Sequence, residues 1–479
     1  MRSSAHHHRS RRALVALLLL GGAAGLAGCA EVAPPMKPAL GEARTPVLTP
    51  TKAPASKDRP ALEAIGGHSV RAQISADGRF VTFDSYASNL TSGDTRGFVN
   101  AFVHDRQSRL TTLVSGAANG MPGNDHSSAP ALSADGGVVV FNSDATTLVA
   151  GDTNQLTDVF VHDRPTGKTT RVNVAAGGAQ AIGGPSFLPA LSADARYVAF
   201  ESSATNLLAG DTNGRRHILV HDRSTRTTTR ASVGPSGVQA DGDSVFASIS
   251  ADGRYVAFES DATNLVPGDT NQRADVFVHD RLTGSTARVS VATGGAQGAG
   301  DSGRPRISAD GRYVVFDSEA PNLVPGDTNQ SADVFVHDRL AGVTTRVSVA
   351  TDGAQATGGD STFPAISADG RVVVFQSEAT NLVAEDTNDL RDIFVHDRAT
   401  GTTSRVSVAT GGSQAQGGGA ARPHISADGQ VVAFESAATN LVSDDTNDVT
   451  DVFVHDRRSG ITTRVSHRLR GTSTVRVKP

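Results

Sequence analysis

The sequence predicts an all-β fold, a seven-bladed β-propeller with four antiparallel strands per blade. Three observations carry that prediction. The tripeptide Ser-Ala-Asp recurs at Ser75, Ser133, Ser192, Ser250, Ser308, Ser367 and Ser426, at spacings of 58 or 59 residues. A second marker, His-Asp-Arg, starts at His104, His162, His221, His279, His337, His396 and His455. Between the markers every unit holds short β-branched and aromatic runs cut by Gly, Asp and Asn, the pattern of strands joined by turns. Self-similarity at so long a period means one supersecondary unit per repeat, and four-strand units suit propeller blades; the coils of a β-solenoid are much shorter.

The elements follow in chain order. Residues 1–28 read as a signal peptide: Arg2, Arg9, Arg11 and Arg12 form a basic start, then comes the apolar run Ala13 to Leu20 and a small-residue stretch. The run is short of the ~20 residues a membrane span needs. It ends in Leu26-Ala27-Gly28-Cys29, which resembles a bacterial lipobox. That resemblance implies cleavage before Cys29, a lipid anchor on its thiol, and an extracytoplasmic address on a membrane. His6 to His8 fall in the removed segment. Residues 29–62, rich in Pro, Ala, Thr and Lys, read as a semi-extended tether.

Residues 63–467 hold the seven blades. In the fourth unit FASIS leads into the turn Ala251-Asp252-Gly253-Arg254, then YVAFES, a long loop, DVFVHD, the turn RLTG, and STARVSVA. These are strands A to D. The A–B turn (SADG) and the C–D turn (HDR) share one face; the longer B–C loops and D–A linkers share the other, which becomes the candidate working face. The third unit carries Ala195 in place of the SADG glycine. Residues 468–479 are a tail or a strand that closes the ring.

The motif S-A-D-G-R-[YV]-V-[AV]-F is similar to the WD40-like (TolB-type) propeller repeat over about residues 68–466, with Ile or Leu for the family's Trp and Ala for its Pro. The resemblance implies the propeller fold and interactions in the cell envelope.

Composition narrows the function. The 479 residues include one Cys and no Trp, which excludes a disulfide framework and a Cys-rich zinc module and weakens a lectin reading. Without residues 1–28 the chain has 40 basic against 49 acidic residues, a net charge of −9, which argues against nucleic acid as a partner. Only about 13 residues follow Ser466, too few for an appended hydrolase domain.

Three sets of recurrent or variable residues are candidates for chemistry. The seven His-Asp-Arg copies lie one per blade, so they read as turn and strand-end structure rather than as a site. The B–C loops repeat G-D-T-N-x-x-x-D: Asp152/Asn154/Asp158, Asp269/Asn271/Asp275, Asp327/Asn329/Asp333, Asp386/Asn388/Asp392 and Asp445/Asn447/Asp451. Their oxygens suit calcium in type and partly in spacing, and equally suit Asx-turn loops that tie down backbone amides. The third set varies between blades. Four residues before each SADG serine stand Arg71, Ala129, Leu188, Phe246, Arg304, Phe363 and Arg422; two before stand Gln73, Ala131, Ala190, Ser248, Arg306, Ala365 and His424.

As strand A is innermost, Arg71, Gln73, Arg422 and His424 are expected in one channel sector, with Arg304 and Arg306 opposite. Arginines there would receive a carboxylate or phosphate, against the alternative of a merely solvated polar wall. Gly300-Asp301-Ser302-Gly303 imitates a serine-protease string, but Asp-Ser recurs at 243–244 and 360–361 and has no base beside it. Three functions remain: a membrane-tethered binding module for a protein, peptide or envelope polymer; a hydrolase or lyase using channel Arg and His residues; and a calcium-stabilised surface protein.

Overall fold

The computed structural model describes residues 61–469, apart from 92, 94, 118, 119 and 212. The signal segment, Cys29 and the tether as far as residue 60 lie outside these residues, as does the tail from 470. Seven four-stranded antiparallel sheets follow one another, each built from consecutive strands in the order A-B-C-D. The only helical element among the described residues is a single 3-10 turn, Pro235–Gly237.

The core is made where the blades face one another. In six blades the Phe of strand B stands directly across from the Phe of strand C, as in Phe83↔Phe102, and the rings stack at 5.9–6.0 Å. These side chains are fully buried. Burying one such aromatic contributes roughly 1.5–3 kcal/mol, and the pair is repeated round the ring among buried Val, Leu and Ala. In blade 3 Phe200 faces Leu219 instead.

The SADG turn brings neighbouring blades into close approach. Gly253 has φ +74°, and a Cβ there would lie 2.1 Å from the ring of Tyr197 in the preceding blade. Ala195 takes the same left-handed conformation at φ 57°, tolerated because blade 2 carries Val138 where Tyr197 stands in blade 3. One residue after each SADG serine an alanine N–H donates to the matching alanine carbonyl of the next blade: Ala76 to Ala134, then Ala193, Ala251, Ala309, Ala368, Ala427 and back to Ala76, all at 2.9–3.0 Å. This closed circle of seven bonds ties the SADG end of the channel. With hydrogen-bonded backbones ~4.8 Å apart, the circle is roughly 11 Å across between backbones, too tight for a helix.

The ring closes without sharing a blade. Ala61–Glu63 pairs antiparallel with His467–Leu469 in a separate two-stranded sheet. Elsewhere the D–A linker folds into a small hairpin, bridged for example by Val174↔Gln180 and Val408↔Gln414. Glu63 takes the place of those glutamines: its Oε1 accepts the Thr446 N–H at 2.8 Å, as Gln180 Oε1 accepts that of Thr153 at 3.2 Å. The seam is therefore one linker hairpin made from two chain ends. Ala61 to Glu63 thus belong to the ring's closure, although the composition of residues 29–62 reads as tether.

Candidate functional site

Every strand A carries a β-bulge, and the same residue of each bulge has positive φ: Arg71 (55°), Ala129 (51°), Leu188 (44°), Phe246 (55°), Arg304 (50°), Phe363 (51°) and Arg422 (48°). Left-handed conformation is costly for any residue with a Cβ, and most so for bulky ones. One bond holds it in all seven. The bulge N–H donates to a side chain on strand B of the preceding blade: Arg71 to Glu435, Ala129 to Asp84, Leu188 to Asn142, Phe246 to Glu201, Arg304 to Glu259, Phe363 to Asp317 and Arg422 to Gln376, at 2.7–3.3 Å. Sequence reasoning missed these acceptors. Their signal was present: the position between Phe and Ser in strand B is always Asp, Asn, Glu or Gln.

The bulge side chains stand at the long-loop end of the channel, since strand A runs from the D–A linker towards SADG. The three arginines are ion-paired to acids of this same ring: Arg71 with Asp84 at 2.9 Å, Arg304 with Asp317 at 2.7 Å, Arg422 with Glu435 at 2.9 Å. Each guanidinium side chain stays 30–33% exposed while its acid is at most 8% exposed. Arg304 and Arg422 also share the ring of Phe363, at 4.6 and 5.7 Å from its centroid. This corrects the expectation that Arg304 lies opposite Arg422. They flank one blade, and blades 5, 6 and 7 form a single arc.

One level deeper, blades 5, 6 and 7 present Arg306, Ala365 and His424, and blade 1 presents Gln73. His424 accepts the Ile74 N–H at Nδ1, 3.4 Å away, which assigns its proton to Nε2 when neutral. Burial first, and the charge of Arg306 second, push its pKa down to about 3. Burial also lowers the pKa of Arg306, opposed by Asp317. Between them in the ring, blade 6 carries only the methyl of Ala365 at this position.

The B–C loops receive a different answer from the calcium expectation. Their charged centre is a guanidinium from the end of strand D. Arg171 meets Asp152 and Asp158 at 3.0 Å each; Arg288 meets Asp269 at 3.1 Å and Asp275 at 3.3 Å; Arg346 meets Asp327 and Asp333 at 3.3 Å. Arg405 meets Asp386 at 2.9 Å and Asp392 at 3.2 Å, and Arg464 meets Asp445 at 3.2 Å and Asp451 at 3.5 Å.

Asn154, Asn271, Asn329, Asn388 and Asn447 turn their amide N–H towards the second Asp at 2.9–3.2 Å. Their oxygens accept backbone N–H groups two residues on. A calcium ligand would need those oxygens, and a cation would sit where the guanidinium already sits. No group of three or more His, Cys, Asp or Glu suited to a metal occurs among the described residues.

The remaining motifs are structural. Each His of His-Asp-Arg bonds a strand-D Thr at 2.9–3.0 Å, as His279 does Thr286. In blades 1, 3, 4, 5 and 6 the Asp takes a two-pronged bond from the Arg that follows SADG or SADA; Arg254 binds Asp280 at 2.9 and 2.7 Å. Ser302 of the protease-like string bonds Ser318 Oγ at 2.8 Å.

No family model matches the sequence, and no curated protein matches it. Solved propeller structures do resemble it. An oligogalacturonate lyase from Vibrio parahaemolyticus aligns over 83% of this chain and 91% of its own, at 11% identity and a TM-score of 0.50. A puromycin-hydrolyzing peptidase from Mycobacterium tuberculosis aligns over 85% of this chain but 55% of its own, at 12% identity and 0.51. TolB from Acinetobacter baumannii aligns over 83% and 80%, at 15% identity and 0.38. At such identities the likeness is one of fold.

Proposed function

We propose that this seven-bladed propeller is an extracytoplasmic binding module, tethered to a membrane through a lipid on Cys29, whose channel mouth on the long-loop face holds an anionic protein, peptide or envelope polymer. One observation carries the reading. Seven equivalent bulges, each held strained by an N–H bond to strand B of the preceding blade, raise seven side chains of four kinds to one rim: three Arg, two Phe, one Leu and one Ala. An invariant frame beneath a variable display is what a recognition surface requires, and backbone strain kept at every repeat supports a use for what it displays.

The test exploits the repeat itself, because alanine already occupies this bulge in blade 2. Phe246→Ala with Phe363→Ala is expected to fold and to lose envelope components that the unaltered protein retains as bait. Equal recovery by both overturns the reading. For the anchor, Cys29→Ser is expected to move the protein from the membrane fraction to the soluble fraction.

A second reading, a hydrolase or lyase, draws on Arg306 and the neutral His424 facing the same space. It would require turnover of an anionic polymer that is lost in His424→Ala.

A further inference from the structure

We infer that the gap between Arg306 and His424, over Ala365, is a binding site for a single oxoanion, carboxylate or phosphate, admitted from the long-loop face. The inference rests on the channel being the working part of the molecule and names the chemistry its deeper level would take.

Among the described residues Arg306 makes one hydrogen bond, from Nη1 to the Pro305 carbonyl at 3.1 Å, and no ion pair. The carboxylate whose charge it feels is Asp317. Both Asp317 oxygens are committed elsewhere: Oδ1 to Arg304 at 2.7 Å and Oδ2 to the Phe363 N–H at 3.0 Å. A guanidinium surrounded by protein without a counter-charge is unfavourable unless something supplies one. The three mouth-level arginines and the five strand-D arginines of the B–C loops, by contrast, are each ion-paired.

The second donor is His424. Its Nδ1 is occupied by the Ile74 N–H, which leaves Nε2–H as the free edge of the ring. A guanidinium fork and an imidazole N–H on blades 5 and 7 then flank blade 6, where Ala365 adds only a methyl. Two donors on either side of a methyl group favour a ligand that accepts, and a fork favours two oxygens on one atom.

The surroundings fit. Above, Phe363 between Arg304 and Arg422 forms an apolar and cationic approach. Below, the circle of alanine hydrogen bonds restricts the channel. The anion's route is therefore the face proposed for partner binding.

Internal repeats make the test clean, because alanine stands at this position in blades 2, 3 and 6. Melting and calorimetric titration of the purified protein use inorganic phosphate and citrate at matched ionic strength. The unaltered protein is expected to bind one equivalent and to melt higher with either probe. Arg306→Ala is expected to melt higher than the unaltered protein without anion, to lose the anion response, and to bind at least ~10-fold more weakly. His424→Ala is expected to weaken binding ~3- to 10-fold, with His424→Gln, which keeps a donor, restoring part of it. An anion response unchanged in Arg306→Ala, or no saturable binding of either probe, overturns the inference. These measurements need no partner: lost envelope capture with intact anion binding strikes the module reading alone, and the reverse strikes this site alone.

Discussion

Glu259 lies under the bulge of blade 5, accepting the Arg304 N–H at 3.1 Å, while the Arg304 side chain turns to Asp317. Burial pushes its pKa up to about 7, against the smaller opposing pull of that bond. Glu201 is held at about 7 for the same first reason. A carboxyl with a raised folded pKa stabilises fully below its unfolded value of 4.5, and the contribution is lost as pH rises through 7. The loss at Glu259 is on the order of 3 kcal/mol. Glu259→Gln is expected to melt higher than the unaltered protein at pH 8 and to narrow the difference at pH 5; Gln376 already fills this role in blade 6, bonding the Arg422 N–H at 2.9 Å. Equal melting at pH 8 would refute it. The acceptors were legible in sequence as a fixed polar position, but their purpose was not. A polar residue in an alternating strand reads as solvent-facing, and the bulge it holds has no glycine to announce it.

The B–C loop shows the same limit in an element. Its Asp and Asn spacing was readable, and so was the Asn turn that the alternative reading expected. The arginine that fills it comes from strand D, 13 residues beyond the second Asp and 19 beyond the first in blade 6. Only the hairpin of strands C and D brings the three together. Melting curves in EDTA and in millimolar calcium are therefore expected to coincide, and a calcium-dependent rise in melting temperature would restore the metal site. Turns were the most legible elements, because SADG and HDR encode local bonds: Ser250 Oγ to Asp252 at 2.6 Å, and the Arg254 N–H to the same Asp at 2.9 Å. The seven-blade count followed from those turns alone. The sharing of the Phe363 ring did not, since it depends on how far Arg304 and Arg422 lean towards one blade.

For the whole molecule, the seam makes the order of blades circular. Glu63 and Asn447 reproduce bonds that other linkers make within one continuous segment: Asn447 donates to the Ala64 carbonyl at 3.2 Å as Asn154 does to that of Ala181 at 3.1 Å. Joining Leu469 to Ala61 through a short linker and opening the chain at Gly177-Gly178 is expected to give a folded protein melting within a few degrees of the original. Failure to fold would show that the seam differs from the other linkers.

The seam also bears on the order of assembly. Strands within a blade pair with immediate neighbours in sequence, whereas Arg464 meets Glu63 across 401 residues. Contacts so distant carry the largest loop-closure entropy and form slowly, so individual blades are expected to condense first and the circle to shut last. A refolding chain would pass through an open arc, its first and last blades exposing the faces that finally meet. Permutation would move that late step to another pair of blades.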